Sequence, residues 1–135
     1  MEKIDLPGLL IFGLDAKIDT GAYTSSLHCH KIFTEVEDGK EFVRFHVLDP
    51  DHPEYEEKEY RSAVHKVKRV RSSNGLIEER VIIKQKVNFF GEKSSIQLSL
   101  TNRSEMRYPV LIGRRFLDGR YLVDVSKKYL YKSSK

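Results

Sequence analysis

The sharpest local chemistry in the sequence is carried by Ala16-Lys17-Ile18-Asp19-Thr20-Gly21-Ala22. A carboxylate in a tight turn directly after an apolar strand is held rigidly and can be surrounded by backbone amides. Two such carboxylates facing each other cannot both ionise, so one keeps a proton and the pair activates a water between them. Gly21 lets the backbone approach closely, and the Thr20 hydroxyl can hydrogen-bond within the turn. Any β-turn could contain the same tripeptide, so Asp19 gains meaning only from what else the chain supplies. The chain holds one Asp-Thr-Gly, and a dyad would need a second copy of it. A two-fold homodimer is the economical source, since the same patch then meets itself. Asp124, in Val123-Asp124-Val125-Ser126, lacks the Thr/Ser-Gly that would shape such a turn and reads as structural.

His28-Cys29-His30 is the obvious suggestion of zinc. On a strand the two histidines share one face, with Leu27 and Cys29 on the other. A tetrahedral site needs at least one more ligand, and His46, His52 and the glutamates of 54–59 carry no ligand spacing. No metal is therefore expected, with His28 the weak candidate if zinc binds. Ser26 stands two residues before His28, but without a Gly-x-Ser-x-Gly elbow a serine nucleophile is remote.

The elements that must position these groups are strands. Leu9 to Ile18 is an apolar run that delivers Asp19. Ile32-Thr34-Val36 and Val43-Phe45-Val47 alternate on either side of Asp38-Gly39, a hairpin signal, because Asp-Gly accepts the positive-φ positions of a tight turn. Residues 49–59, with Pro50 and Pro53, read as an exposed loop. Strand-like segments at 60–71 and 76–88 flank Ser72-Ser73-Asn74-Gly75, a second hairpin whose tip could cover a cleft as a flap. Phe89-Phe90-Gly91-Glu92-Lys93 turns into Ile96-Leu98-Leu100, three apolar side chains on one face. Pro109-Val110-Leu111-Ile112-Gly113 precedes the one short helix expected, over Arg114-Arg115-Phe116-Leu117. Tyr121 to Val125 reads as a closing strand and Lys127 to Lys135 as a basic tail. Many short strands with regular turns indicate an all-β, closed or nearly closed small barrel.

The 135 residues suit a single domain over 1–135. One cysteine, Cys29, excludes an intrachain disulfide framework and suits a reducing, cytoplasmic setting. No apolar run reaches the length of a membrane helix, and no signal-peptide pattern follows Met1. Net charge is +4, from 24 Lys and Arg against 20 Asp and Glu. The charge is blocked, acidic over 51–59 and basic over 61–71, which suits a solvated loop and strand better than a nucleic-acid stripe. Neither a membrane nor a nucleic acid is an expected partner.

Asp-Thr-Gly followed much later by apolar-apolar-Gly and a short helix resembles the retroviral-type aspartic peptidases. The segments AKIDTGAYTSSLH (16–28), VRSSNGLIEERVII (70–83) and SLTNRSEMRYPVLIGRRFL (99–117), with Leu6-Pro7 and Leu122-Val123-Asp124, narrow the resemblance. They match bacterial and archaeal retropepsin-like proteins long labelled ATP-dependent zinc proteases. The resemblance covers most of the chain and implies a six-stranded retropepsin-like barrel. Asp19 would be the catalytic aspartate, and Thr20, Gly21 and Ala22 would shape its loop. Some members are associated with ATP-grasp ligases that add glutamates to a ribosomal protein, and the implied activity is trimming of that tail. ATP itself is not expected, because no Gly-x-x-x-x-Gly-Lys-Ser/Thr occurs. Arg71, Arg80, Arg103 and Arg114 all lie in the matched segments, and guanidinium groups bind carboxylates in two-pronged fashion. They are the expected substrate contacts, Arg71 and Arg103 first, unless Glu78, Glu79, Glu105 or Asp124 pairs with them. His28, also in a matched segment, joins them as a polar group. A binding module for acidic tails and a metal-dependent hydrolase using His28 are the alternatives.

Overall fold

Two connections set the frame of the molecule. Asp38 and Gly39 take φ of 52° and 75°, and Phe90 and Gly91 take 53° and 73°. Paired positive φ is the two-residue turn whose twist matches that of the strands it joins. The first turn joins β3 (Ser25–Glu37) to β4 (Lys40–Val47), and the second joins β7 (Ile77–Phe89) to β8 (Glu92–Thr101). The remaining strands among the described residues are β1 (Glu2–Leu6), β2 (Ile11–Ile18), β5 (Glu59–Ala63), β6 (Lys66–Arg71) and β9 (Val110–Ile112), with one α-helix, α1 (Arg114–Leu117). The structure is a computed structural model, and it describes residues 2–19, 21–48, 57–71, 75–102 and 108–117. Thr20, Arg103 and Asp124 lie outside the described residues, as do most of the 49–59 loop, the 72–74 tip, the strand expected at 121–125 and the basic tail.

The strands run β3-β8-β7-β1-β2-β9 and β9 pairs back onto β3, which closes a six-stranded barrel. The expected closed, all-β, retropepsin-like architecture with one short helix is what forms. Alternation fills its interior: Ile4, Leu6, Ala16, Ile83, Val87, Leu98, Val110 and Ile112 are buried from five different strands. β3 is long enough to serve two sheets. Its first residues hold β8 on one side and β9 on the other, while residues from Cys29 onward pair with β4. A register shift between His30 and Phe33, with Lys31 at a φ of 52°, marks the bend between the two roles.

Two segments depart from the expected boundaries. The apolar run at Leu9 is not strand throughout, because Pro7–Leu9 forms a 3-10 turn and Leu10 takes the left-handed conformation before β2 begins at Ile11. The segment expected as one strand over 60–71 is divided at Val64 and His65. The Val64 amide donates to the Glu41 carbonyl and the His65 amide to that of Ile82 (3.0 and 2.8 Å), so the chain crosses from β4 to β7 there. β5 therefore extends the β3–β4 sheet, and β6 pairs with β7 alone among the described residues.

Candidate active site

β2 delivers Asp19 into a turn that its own carboxylate helps to build. The Gly21 amide donates to Asp19 Oδ1 (3.0 Å) and the Ala22 amide to the Asp19 carbonyl (3.2 Å). A side chain anchored to the backbone two residues on cannot swing freely. The Asp19 amide donates to the Ile112 carbonyl (2.9 Å), which continues the parallel pairing of β2 with β9 past the end of the strand.

β9 threads between the two arms of this turn. Leu111 pairs with Lys17 on one side and with Ser26 on the other, so the chain before and after Asp19 is tied to one residue. Gly113 then leaves the sheet through a gap too narrow for a side chain. A Cβ there would meet the Tyr23 carbonyl oxygen at 2.7 Å and the Thr24 carbonyl carbon at 2.8 Å. Glycine is thus required by close approach of backbone to backbone. The Gly113 amide donates to the buried Ser25 Oγ (2.9 Å), and those of Arg114 and Arg115 donate to the carbonyls of Ala22 and Tyr23 (2.8 and 2.9 Å). The start of α1 therefore clamps the exit of the Asp19 turn.

Asp19 opens onto a cleft of about 290 Å³. Ser99 and Thr101 of β8, Ile82 of β7 and Ser26 of β3 line it, and Lys68 and Arg80 of the β6–β7 hairpin supply its cations. Lys68 and Arg80 are directly opposite one another across the hairpin. Ile82, on the same face two residues along β7, is 2% exposed yet stands apart from the barrel core. It is an apolar floor beneath two positive groups. Arg80 Nη2 lies 3.5 Å from Glu78 Oε2 and the Arg80 side chain is 23% exposed, a loose contact that leaves the guanidinium able to take another carboxylate. Apart from Asp19, no carboxylate lines the cleft among the described residues.

The structure gathers some of the expected site residues and disperses others. Asp19, Ala22 and Arg80 line one cleft, and Gly21 makes its turn. Arg71 pairs with Ile77, an odd-numbered couple, whereas Lys68 pairs with Arg80. Side chains alternate along a strand, so Arg71 projects from the face of the hairpin opposite the cleft. Arg114 is exposed on α1, its guanidinium 5.8 Å from the centre of the Tyr23 ring. His28 is 1% exposed and does not line the cleft. Its backbone amide donates to the Pro109 carbonyl (2.8 Å), and its ring Nδ1 meets the Thr101 carbonyl at 3.3 Å. Lys68 is the site cation that inspection of motifs passes over, and only its partner across the hairpin identifies it.

Among the described residues the donors do not fit zinc. His30 Nδ1 bonds to the Leu48 carbonyl and its ring stands 5.1 Å from that of His46. Among the described residues no three His, Cys, Asp or Glu side chains converge on one point. Cys29 is fully buried, which pushes its thiol well above the ordinary range and keeps it protonated. No helix among the described residues is long and apolar enough to cross a membrane.

Over residues 1–134 the sequence matches the RimB-like family, described as retropepsin-like aspartic endopeptidase RimB. The chain belongs to that family. It is also similar to proteins named probable alpha-L-glutamate ligase. The one from Parasynechococcus marenigrum (strain WH8102) is 37% identical over 125 residues, and the one from Shewanella halifaxensis (strain HAW-EB4) 32% over 127 residues. Each alignment takes in 91% of this chain but only 26% and 27% of the relative, so the chain spans about a quarter of the length of these curated relatives. A crystal structure of a Legionella pneumophila protein of unknown function superposes with a TM-score of 0.71 at 27% identity, covering 97% of this chain and 94% of that one.

Proposed function

We propose that the chain is an aspartic-type peptidase for acidic peptides, working as a homodimer through Asp19 and its symmetry mate. The observation that carries this reading is the composition of the Asp19 cleft, where a turn-anchored carboxylate shares about 290 Å³ with Lys68 and Arg80. In the dimer, one Asp19 takes a proton from water as the oxygen attacks the scissile carbonyl. The other, protonated, donates to the carbonyl oxygen. Collapse of the resulting diol expels the amine, which leaves with a proton from the dyad. Tyr23, exposed beside the turn and part of the cleft lining, offers apolar surface for a second copy at the cleft mouth.

The cations of the cleft select for carboxylate side chains or a C-terminal carboxylate. A ligase for glutamate and a peptidase that removes glutamate handle the same kind of chain, and the relatives' name is consistent with that substrate. Trimming of glutamate tails on a ribosomal protein is the specific form of the proposal.

The test is cleavage of a peptide ending in several glutamates by the unaltered protein and by Asp19→Asn, each with and without a chelator. Loss of activity in Asp19→Asn of about a hundredfold or more, with no effect of chelation, is the expected result. Cleavage that survives in Asp19→Asn would overturn the aspartic mechanism, and tight binding without cleavage by either protein would favour a binding module.

A further inference from the structure

The Asp19 cleft does not end at Ser99. The β7–β8 pairing is unbroken from Ile82↔Ser99 to Lys84↔Gln97, so Lys84 and Gln97 lie on the same face as the cleft floor, one pleat farther along. There they enter a second cleft of about 230 Å³, lined also by Ser95, Ser25, Phe116 and Arg115. β3 takes up β8 only from Leu98 onward. Between Ser95 and Gln97, β8 therefore has an open edge on the side facing α1 among the described residues. Such an edge offers main-chain hydrogen bonds to an extended peptide.

The chemistry of this second cleft is that of an anion site. Lys84 and Arg115 supply two cations, Ser95 and Gln97 supply neutral hydrogen-bonding groups, and no carboxylate is in the lining among the described residues. Neither cation forms an ion pair among the described residues. Tyr23 stands between the two clefts, since it lines the Asp19 cleft and its ring centre is 5.9 Å from the Arg115 guanidinium. From Ser99 to Ser95 the strand advances about 13 Å, the reach of about four residues of extended peptide.

We infer that the second cleft is a carboxylate-binding subsite that holds an acidic residue of the peptide seated at Asp19, about four residues from the bond cut there. The inference rests on the reading of this chain as a peptidase for acidic peptides. It adds that length matters, since a short acidic peptide fills the first cleft only and a longer one bridges both.

The experiment is fluorescence anisotropy with labelled peptides of two and of six glutamates on Asp19→Asn protein, which holds them without turnover. The longer peptide should bind more tightly. Adding Lys84→Gln and Arg115→Gln should shrink its advantage over the shorter one by about fivefold, the scale of two solvent-exposed ion pairs. Both side chains are exposed, and matched melting temperatures will show that the fold is kept. Lys84→Glu alone should weaken the longer peptide further than Lys84→Gln. An unchanged advantage, equal binding of a six-glutamine peptide, or stronger dependence of a single-stranded oligonucleotide on Lys84 and Arg115 would each overturn the subsite. The binding readout is independent of cleavage. Loss of the advantage without turnover by the unaltered protein would retain the subsite and reject the peptidase, and turnover with an unchanged advantage would do the reverse.

Discussion

Arginines occur in two regions of this molecule in opposite states. On the outer face of the β3–β4–β5 sheet, Arg44 binds Glu35 at 2.9 Å and Glu59 at 3.0 Å. Arg61 binds Glu35 at 2.9 Å, is paired with Glu37, and stacks 3.9 Å above the Phe42 ring. Every guanidinium there is consumed by the fold. In the Asp19 cleft, Arg80 has a single loose contact with Glu78, and Lys68 forms no ion pair among the described residues. A cation already satisfied by two carboxylates has little to offer a third. One held over an apolar floor with its donors uncommitted is ready for a ligand. The number of arginines in a segment therefore says less about substrate than the number of acids each one already faces.

The largest effect that would break this contrast is at Gly113. Gly113→Ala places a methyl against the backbone of Tyr23 and Thr24, atoms that cannot rotate away. The expected loss is about 3 kcal/mol, the upper range for overpacking, read as a fall in melting temperature. Peptide cleavage should fall with it, because the same clamp fixes the Asp19 turn.

The next effect separates the two regions. Replacing Lys68 and Arg80 together by glutamine should lower kcat/KM on a glutamate peptide by about thirtyfold, within the range for hydrogen bonds to charged groups, while melting barely moves. Arg44→Gln with Arg61→Gln should do the opposite, leaving cleavage intact and lowering the melting temperature slightly, as loss of exposed ion pairs does. Equal loss of cleavage from both pairs would erase the distinction.

Much of the frame was legible because its signals are local. Asp38-Gly39 makes the turn it predicts, Gly91 marks the next one, Gly113 sits where the chain must pass backbone against backbone, and α1 covers the expected residues. The choice among arginines was not legible, and the reason is register. A loop confined to residues 72–75 would pair Arg71 with Leu76 and set Arg80 across from Val67, which puts Arg71 and Arg80 on one face. The observed pairing of Arg71 with Ile77 leaves residues 72–76 as the connection and sets Arg80 across from Lys68. One residue in the loop reverses which face Arg71 occupies. The burial of His28 was not legible either, for a different reason. At that point β3 is covered on both faces, and Leu27, His28 and Cys29 are all buried.

The smallest effect sharpens the comparison through pH. The hydrogen bonds and charge of Arg44, followed by those of Arg61, hold the Glu35 carboxyl below its ordinary range. A carboxyl whose value is lower folded than unfolded stabilises the fold above the unfolded value, and that contribution is lost as pH falls through the folded value. Denaturant unfolding from pH 7 downward should therefore show a modest acid-dependent loss beginning near the ordinary glutamate range. Glu35→Gln should flatten that dependence and lower stability at neutral pH. Because Glu35 shares its solvent-facing network with Arg44 and Arg61, added salt should shrink the difference between the two proteins. A pH dependence identical in Glu35→Gln would mean that the outer network is ornamental to stability, and the distinction between spent and available arginines would then rest on the cleft alone.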